Sequence, residues 1–321
     1  MIRGRFAPTP SGDCHIGNAR TALLSWLQIR QAGGEFVLRI EDIDQSRCKP
    51  SYAEQMIDDL LWLGIDWDEG PGTGGPYAPY EQSKRTIKYQ AAFDQLNNNG
   101  WLYPCFCRRK DLKALANAPH GLSSEGPAYP GFCRYLTSNE RKTKAKEKDP
   151  SYRFAMPDKP VAFVDGIMGE QHYAARAGGD FVVRRADGFI GYQLAVVVDD
   201  ADMHMTDILR GADLLDSTPR QILLYQALEW PVPRFTHVPL LYGPDGRRLS
   251  KRHGTAVTLH NIRQAGVKPE SVVGILAFIS GLIDRPEPVK AKELILEFDL
   301  SKIPQSPVVL SHKMLQNLSN S

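Results

Sequence analysis

Apolar positions along this chain follow two periods in alternation. Phe36-Val37-Leu38-Arg39-Ile40 is a short, nearly continuous apolar run followed by acidic residues. It predicts a buried strand whose C-terminal edge aims Glu41 at a pocket, where open α/β sheets hold their ligands. Ser51-Tyr52-Ala53-Glu54 then has the form of a capping box. Met56, Ile57, Leu60, Leu61 and Leu63 continue at helical spacing, and Gly64 is the natural stop. A further helix is predicted over 82–98, stopped by Gly100. Strand and helix in alternation are what βαβ units require. From Trp101 to about Arg185 the pattern breaks, with Pro104, Pro119, Pro127, Pro130, Pro150, Pro157 and Pro160 interrupting any long helix; this stretch is an insertion. Phe189–Val198 predicts a strand, 218–228 a helix, and Pro269-Glu270-Ser271 opens a helix that ends near Gly281. The expected fold is α/β, a doubly wound Rossmann-type parallel sheet with an inserted α+β subdomain and a small C-terminal helical subdomain. Its expected divisions are 1–100 and 188–240 for the two halves of the sheet domain, 101–187 for the insert, and 241–321 for a basic loop and short helical end.

Composition sets limits around that outline. With 321 residues, 42% of them hydrophobic, the chain can bury a substantial core. Met1-Ile2-Arg3-Gly4-Arg5 leads into no apolar leader, and no run of about 18 uncharged apolar residues occurs, so a cytoplasmic protein without a membrane partner is expected. A formal charge of +2 decides nothing about nucleic acid, because a basic surface can be confined to one face. The basic clusters are Arg108-Arg109-Lys110, Arg141 to Lys148, Arg184-Arg185, and the run Arg248 to Arg252. The stretch from Lys142 to Lys148 reads first as an exposed connector, although its sign suits a phosphate backbone. Five cysteines, an odd number with no leader, disfavour disulfides. Cys105-Phe106-Cys107 and Cys133, with Tyr129 four positions before the latter, read either as a structural metal site or as three free thiols.

Two distant runs carry the chemistry. In Pro8-Thr9-Pro10-Ser11-Gly12-Asp13-Cys14-His15-Ile16-Gly17-Asn18 a Pro- and Gly-rich loop leads into a helix near Ile16, an arrangement whose amides and dipole suit a phosphate. Arg248-Leu249-Ser250-Lys251-Arg252-His253-Gly254 follows the turn Gly243-Pro244-Asp245-Gly246, on a loop from which Lys251 can reach a triphosphate. The two runs resemble the HIGH and KMSKS signatures of the class I aminoacyl-tRNA synthetases. Arg5 to Gly12, Leu38 to Asp44, Val197 to Asp200 and Arg210 to Asp213 resemble the glutamate-specific branch in the same order, so that the resemblance runs from about Arg3 to Gly281. Within that branch the chain is most similar to the truncated glutamyl-Q synthetases, because it ends at Ser321, 70 residues past Lys251, and an anticodon-reading region is not expected there.

That resemblance implies activation of L-glutamate by ATP without tRNA, then transfer to the queuosine base in the anticodon of tRNA(Asp). The alternatives are a short or split glutamyl-tRNA synthetase charging a 3′ end, and a non-catalytic zinc- and RNA-binding paralogue. It implies catalytic roles for His15 and Lys251, and a glutamate site of Arg5, Phe6, Ala7, Pro8, Thr9, Glu41, Tyr192 and Arg210. The implied ATP site comprises Pro10, Ser11, His15, Gly17, Asn18, Arg248, Leu249, Ser250, Lys251 and Arg252, with Mg²⁺ accompanying ATP. It also implies one structural zinc held by Cys105, Cys107, Tyr129 and Cys133; the long stretch between Arg108 and Ala128 makes His120 the substitute for Tyr129. Two departures from the branch stand out. Asn18 ends the first signature in place of Gly or His, and Gln193 stands where full glutamyl-tRNA synthetases usually carry Asn. The longer Gln193 is expected to intrude on the pocket and raise KM for glutamate.

Overall fold

The structure, a computed structural model, describes residues 1–108, 129–249 and 258–318. Ser250, Lys251, Arg252, Arg109, Lys110 and His120 lie outside the described residues. In chain order the first elements are β1 (Arg3–Phe6), α1 (Ile16–Gln31), β2 (Glu35–Leu38), α2 (Pro50–Trp62) and α3 (Thr86–Asn98). The proline-rich stretch contributes β3 (Leu102–Cys105), α4 (Ser138–Ala145), β4 (Ser151–Phe154), β5 (Val161–Asp165), β6 (Gly169–Tyr173) and β7 (Phe181–Arg184). Then come α5 (Tyr192–Asp202), β8 (Asp207–Gly211), α6 (Thr218–Ala227) and β9 (Arg234–Val238). The chain closes with β10 (Leu241–Tyr242), α7 (Leu259–Gln264), α8 (Pro269–Ile279), β11 (Val308–Val309) and α9 (His312–Asn317).

Four strands form a parallel sheet in the order β2-β1-β8-β9. Its two faces are separated by the strand period: Phe36 and Leu38 pack with α1, whereas Val37 between them packs with α3, α5 and α6, and Leu209 and Ile208 divide in the same way. Helices therefore cover both faces, as a parallel sheet requires. α1 is buried nearly all round, because α8 and the chain's last segments close over the side that faces away from the sheet. Gly4 permits this packing: a Cβ there would lie 2.5 Å from the Ile29 side chain. Each leucine or isoleucine fully buried in this layer contributes about 1.5–3 kcal/mol.

The insert departs from the parallel plan. β3, β4 and β7 form an antiparallel sheet, and β5 and β6 a hairpin. The basic run from Arg141 onward is not a bare connector: it begins in α4, which opens with a formed capping box between Thr137 and Glu140 and buries none of its residues. Lys148 donates to the carbonyls of Phe106 and Cys107.

Two local expectations are corrected. α2 starts at Pro50, with Lys49 before it and no side-chain cap; the preset φ of a proline in the first turn replaces the capping box expected at Ser51. The strand expected over Phe189–Val198 is largely helix, α5. Leu194 to Val198 are all buried, and a short run that is apolar on every side carries no period to separate strand from helix. The helix is secured by its last turns, where Asp199 and Asp200 meet buried arginines.

Candidate functional site

A cavity of about 370 Å³ opens above the C-terminal ends of β1, β2, β8 and β9. It gathers residues from both distant runs. Arg5, Phe6, Ala7, Pro8, Thr9, Ser11, His15, Gly17, Asn18, Glu41, Tyr192, Arg210, Arg248 and Leu249 all line it. Pro10 does not; it borders an adjoining groove beside Asp42, Cys48 and Lys49. Gln193 does not either, which corrects the expectation that it intrudes. Its side chain is buried, and its Oε1 accepts from Gln221 Nε2 at 2.8 Å, toward α6.

One end of the cavity is a buried ionic lattice. Arg5 donates to Asp200 through Nε (3.1 Å) and Nη2 (3.4 Å). Arg39 donates to Asp200 at 2.7 Å and to Glu41 at 3.1 Å. Asp199, behind them, accepts from Arg85, Gln82 and Tyr89. Burial alone would raise the Asp200 carboxyl; Arg39 and Arg5 hold it below the ordinary carboxylate range. For Glu41 burial wins over Arg39 and Arg5, and its pKa is raised. Burial likewise pushes the Tyr192 phenol up to about 12, so it stays a neutral donor.

Arg210 is held differently, without a carboxylate in contact among the described residues. Its Nε donates to His237 Nε2 at 3.0 Å and its Nη2 to Thr218 Oγ1 at 2.9 Å. Nη1 is buried with no partner among the described residues. The guanidinium lies over the Phe235 ring, 5.1 Å from its centroid, and burial lowers its pKa. Such an orphaned donor in a pocket wall is matched by an incoming acceptor. A second arginine, absent from the sequence-based expectations, shares this condition: Arg20 of α1 lines the cavity, bonds Ser280 Oγ and the Pro239 carbonyl, and has no partner for Nη2 among the described residues.

The other end is built on a helix start. His15 is the N-cap of α1, and its Nδ1 accepts from the amides of Gly17 (3.1 Å) and Asn18 (3.3 Å). These amides, expected to face an anion, are therefore engaged by the imidazole. A ring nitrogen that accepts carries no proton, which leaves Nε2 as the ring's donor position. The dipole of a 16-residue helix adds its positive end. Arg248 reaches the rim, paired with Asp213 at 2.8 Å. Beyond the undescribed residues 250–257 the chain returns at Thr258, which bridges to His15, while the Leu259 amide donates to the Cys14 carbonyl.

The cysteine group forms a separate cluster in the insert. The Sγ atoms of Cys105, Cys107 and Cys133 lie within 4.8 Å of one another. Tyr129 Oη is 3.4 Å from Cys105 Sγ and 3.5 Å from Cys107 Sγ. Arg153 donates to Cys105 at 3.3 Å and stacks 3.8 Å from the Tyr129 ring centre. Burial opposes ionisation of Cys105, but the Tyr129 hydrogen bond and Arg153 outweigh it and lower its pKa. Burial pushes Cys107 up to about 11. Three convergent sulfurs and a phenol are a donor set that fits a tetrahedral soft metal ion.

A parallel sheet wound on both faces, interrupted by an insert and carrying a two-ended polar cavity at its strand ends, defines a class I synthetase catalytic domain. The family described as tRNA synthetases class I (E and Q), catalytic domain, matches residues 1–317, and the chain belongs to it. Its members are ligases. The chain is 63% identical over 99% of its length, and 99% of the relative's, to the glutamyl-Q tRNA(Asp) synthetase of Symbiobacterium thermophilum. It is 47% identical to the protein of the same name from Nitratidesulfovibrio vulgaris, covering 99% of this chain and 98% of that one. The glutamate-tRNA synthetase structure from Elizabethkingia anophelis superposes with a TM-score of 0.87 at 31% identity, covering 99% of this chain and 69% of that one. The fold is thus the glutamyl-tRNA synthetase-like class I fold. Among the described residues no helix is long and apolar enough to cross a membrane.

Proposed function

We propose that the chain activates L-glutamate with ATP, without tRNA, and passes the glutamyl group to the queuosine base in the anticodon of tRNA(Asp). The observation that carries this reading is a single cavity lined at one end by Arg5, Glu41, Tyr192 and Arg210 and at the other by His15 and Arg248. The two relatives named for this reaction support it along nearly their whole length. In this reading Glu41 takes the α-amino group, Tyr192 and the 5–9 segment form the wall, and Arg210, with Arg5 behind it, meets the acidic side chain. Ser11, Gly17 and Asn18, with Arg248 to Arg252, are assigned to ATP and its Mg²⁺, while Pro10 borders the neighbouring groove. We assign 1–100 and 188–240 to the catalytic domain, 101–187 to an RNA-facing insert and 241–321 to the closing loop and helices. The work belongs in the cytoplasm, where its substrates are.

The first step needs no protein nucleophile. The substrate's α-carboxylate is ionised at neutral pH; its oxygen bonds the α-phosphorus while the bond to the bridging oxygen breaks and pyrophosphate leaves with that electron pair. The protein's part is placement and neutralisation: His15 and Lys251 are assigned to the charge that builds on the phosphates. A hydroxyl of the queuosine ring then attacks the acyl carbon, AMP departs and the hydroxyl proton is lost. Labelled glutamate incubated with tRNA(Asp) bearing or lacking queuosine tests the acceptor. Label confined to the modified base is expected; label on the 3′ adenosine indicates a short glutamyl-tRNA synthetase instead.

Cys105, Cys107, Cys133 and Tyr129 would hold one structural zinc ion, which when bound cross-links β3 to the Tyr129–Cys133 segment. Metal analysis is expected to find one ion per chain. Absence of metal together with freely titratable thiols would refute that assignment.

A further inference from the structure

Arg210 and His237 are register partners on the neighbouring parallel strands β8 and β9, and both are buried. His237 bonds on both sides. Its Nδ1 lies 2.6 Å from Asp165 Oδ2, and its Nε2 faces Arg210 Nε at 3.0 Å. An arginine Nε–H can only donate, so Nε2 must accept and the ring proton must sit on Nδ1, directed at the carboxylate. Asp165 is itself fixed: its Oδ1 accepts from the amides of Ile167, Met168 and His237. It belongs to the insert's hairpin, which reaches β9 because residue 166 is glycine; a Cβ there would lie 2.4 Å from Thr236 Oγ1, and the Gly166 amide bonds the Phe235 carbonyl.

We propose that Asp165 and His237 are positioning residues of the amino-acid site: the insert's hairpin sets the imidazole tautomer, and the tautomer sets the pose of Arg210. This rests on the reading that Arg210 meets the glutamate side chain. A carboxylate at position 165 keeps Nδ1 protonated and Nε2 open. An amide there presents an N–H to Nδ1, moves the ring proton to Nε2 and sets two donors against each other at Arg210. The hairpin thereby carries part of the glutamate selectivity from the insert, outside the parallel sheet.

The test compares Asp165→Asn with Arg210→Ala in tRNA-free, glutamate-dependent pyrophosphate exchange, together with ¹⁵N NMR of the histidine rings. For D165N, KM for glutamate is expected to rise about tenfold or more. Its KM for ATP and kcat should stay within about twofold, and the His237 proton should move from Nδ1 to Nε2. A wild-type KM for D165N, beside an R210A that has lost glutamate binding, overturns this proposal and leaves the site reading intact. A wild-type KM for R210A overturns the site reading itself. If D165N fails to fold, the wild-type spectrum still decides, since an Nε2-protonated His237 contradicts the proposal.

Discussion

The two ends of the cavity are made of different material. At the amino-acid end Arg5, Arg39, Glu41, Asp199 and Asp200 are buried and cross-bonded, and Arg210 is gripped by a neutral histidine and a threonine. At the nucleotide end a helix start, an imidazole cap and a rim arginine 55% exposed on its side chain make the surface. The first end is built to discriminate, since a buried donor left without its partner is penalised. The second is built to stabilise charge that appears only during reaction. Changes at the first should therefore damage fold and affinity together, and changes at the second mainly rate.

The largest effect is expected from Asp200→Ala, which takes from Arg5 its carboxylate partner and from Arg39 its shortest one in the interior. Removing one member of a buried network destabilises by about 3–5 kcal/mol, read as a lower denaturant midpoint at unchanged m-value. Next, Lys251→Ala should slow adenylate formation by about 2–4 kcal/mol in pyrophosphate exchange while glutamate affinity barely moves. Acid is expected to act on the buried end. Burial lowers the His237 pKa from 6.5 to about 4, against the pull of Asp165. Between these values the unfolded chain binds a proton that the folded chain refuses, so the contribution of His237 falls as pH drops from about 6.5 toward 4 and is constant below. The loss is at most about 3 kcal/mol, measured as the difference in unfolding free energy between neutral and acid buffer, and His237→Phe should remove it. The smallest effect belongs to Arg248→Ala. Its exposed pair with Asp213 is worth under about 1 kcal/mol in thermal unfolding, so a larger destabilisation would blur the contrast between the ends.

Much of this cavity was legible because strand ends and motif residues coincide. Arg5 to Thr9 leave β1, Glu41 follows β2, Arg210 sits near the end of β8, and sequence order alone places them along one sheet edge. Pairings across long separations were not legible. Asp165 and His237 stand 72 residues apart, and Arg20 meets Ser280 across 260. A histidine amid Phe235, Thr236 and Val238 gives no sign of its partners. Gln193 departs from its expectation for a related reason: its position in the segment is plain from sequence, but the direction of its side chain depends on Gln221 in another helix. The Tyr129 cluster lay between these extremes. The residue types suggested convergence, and only the folded insert brings the phenol between two sulfurs.

A structure determined with a non-hydrolysable glutamyl-adenylate mimic tests the central claim most directly. The account predicts the side-chain carboxylate within hydrogen-bonding distance of the Arg210 guanidinium, the amino group at Glu41, and the phosphoryl mimic beside His15 at the start of α1. A mimic bound elsewhere, or one seated in this cavity with its side chain turned away from Arg210 and its phosphoryl group away from His15, would contradict it.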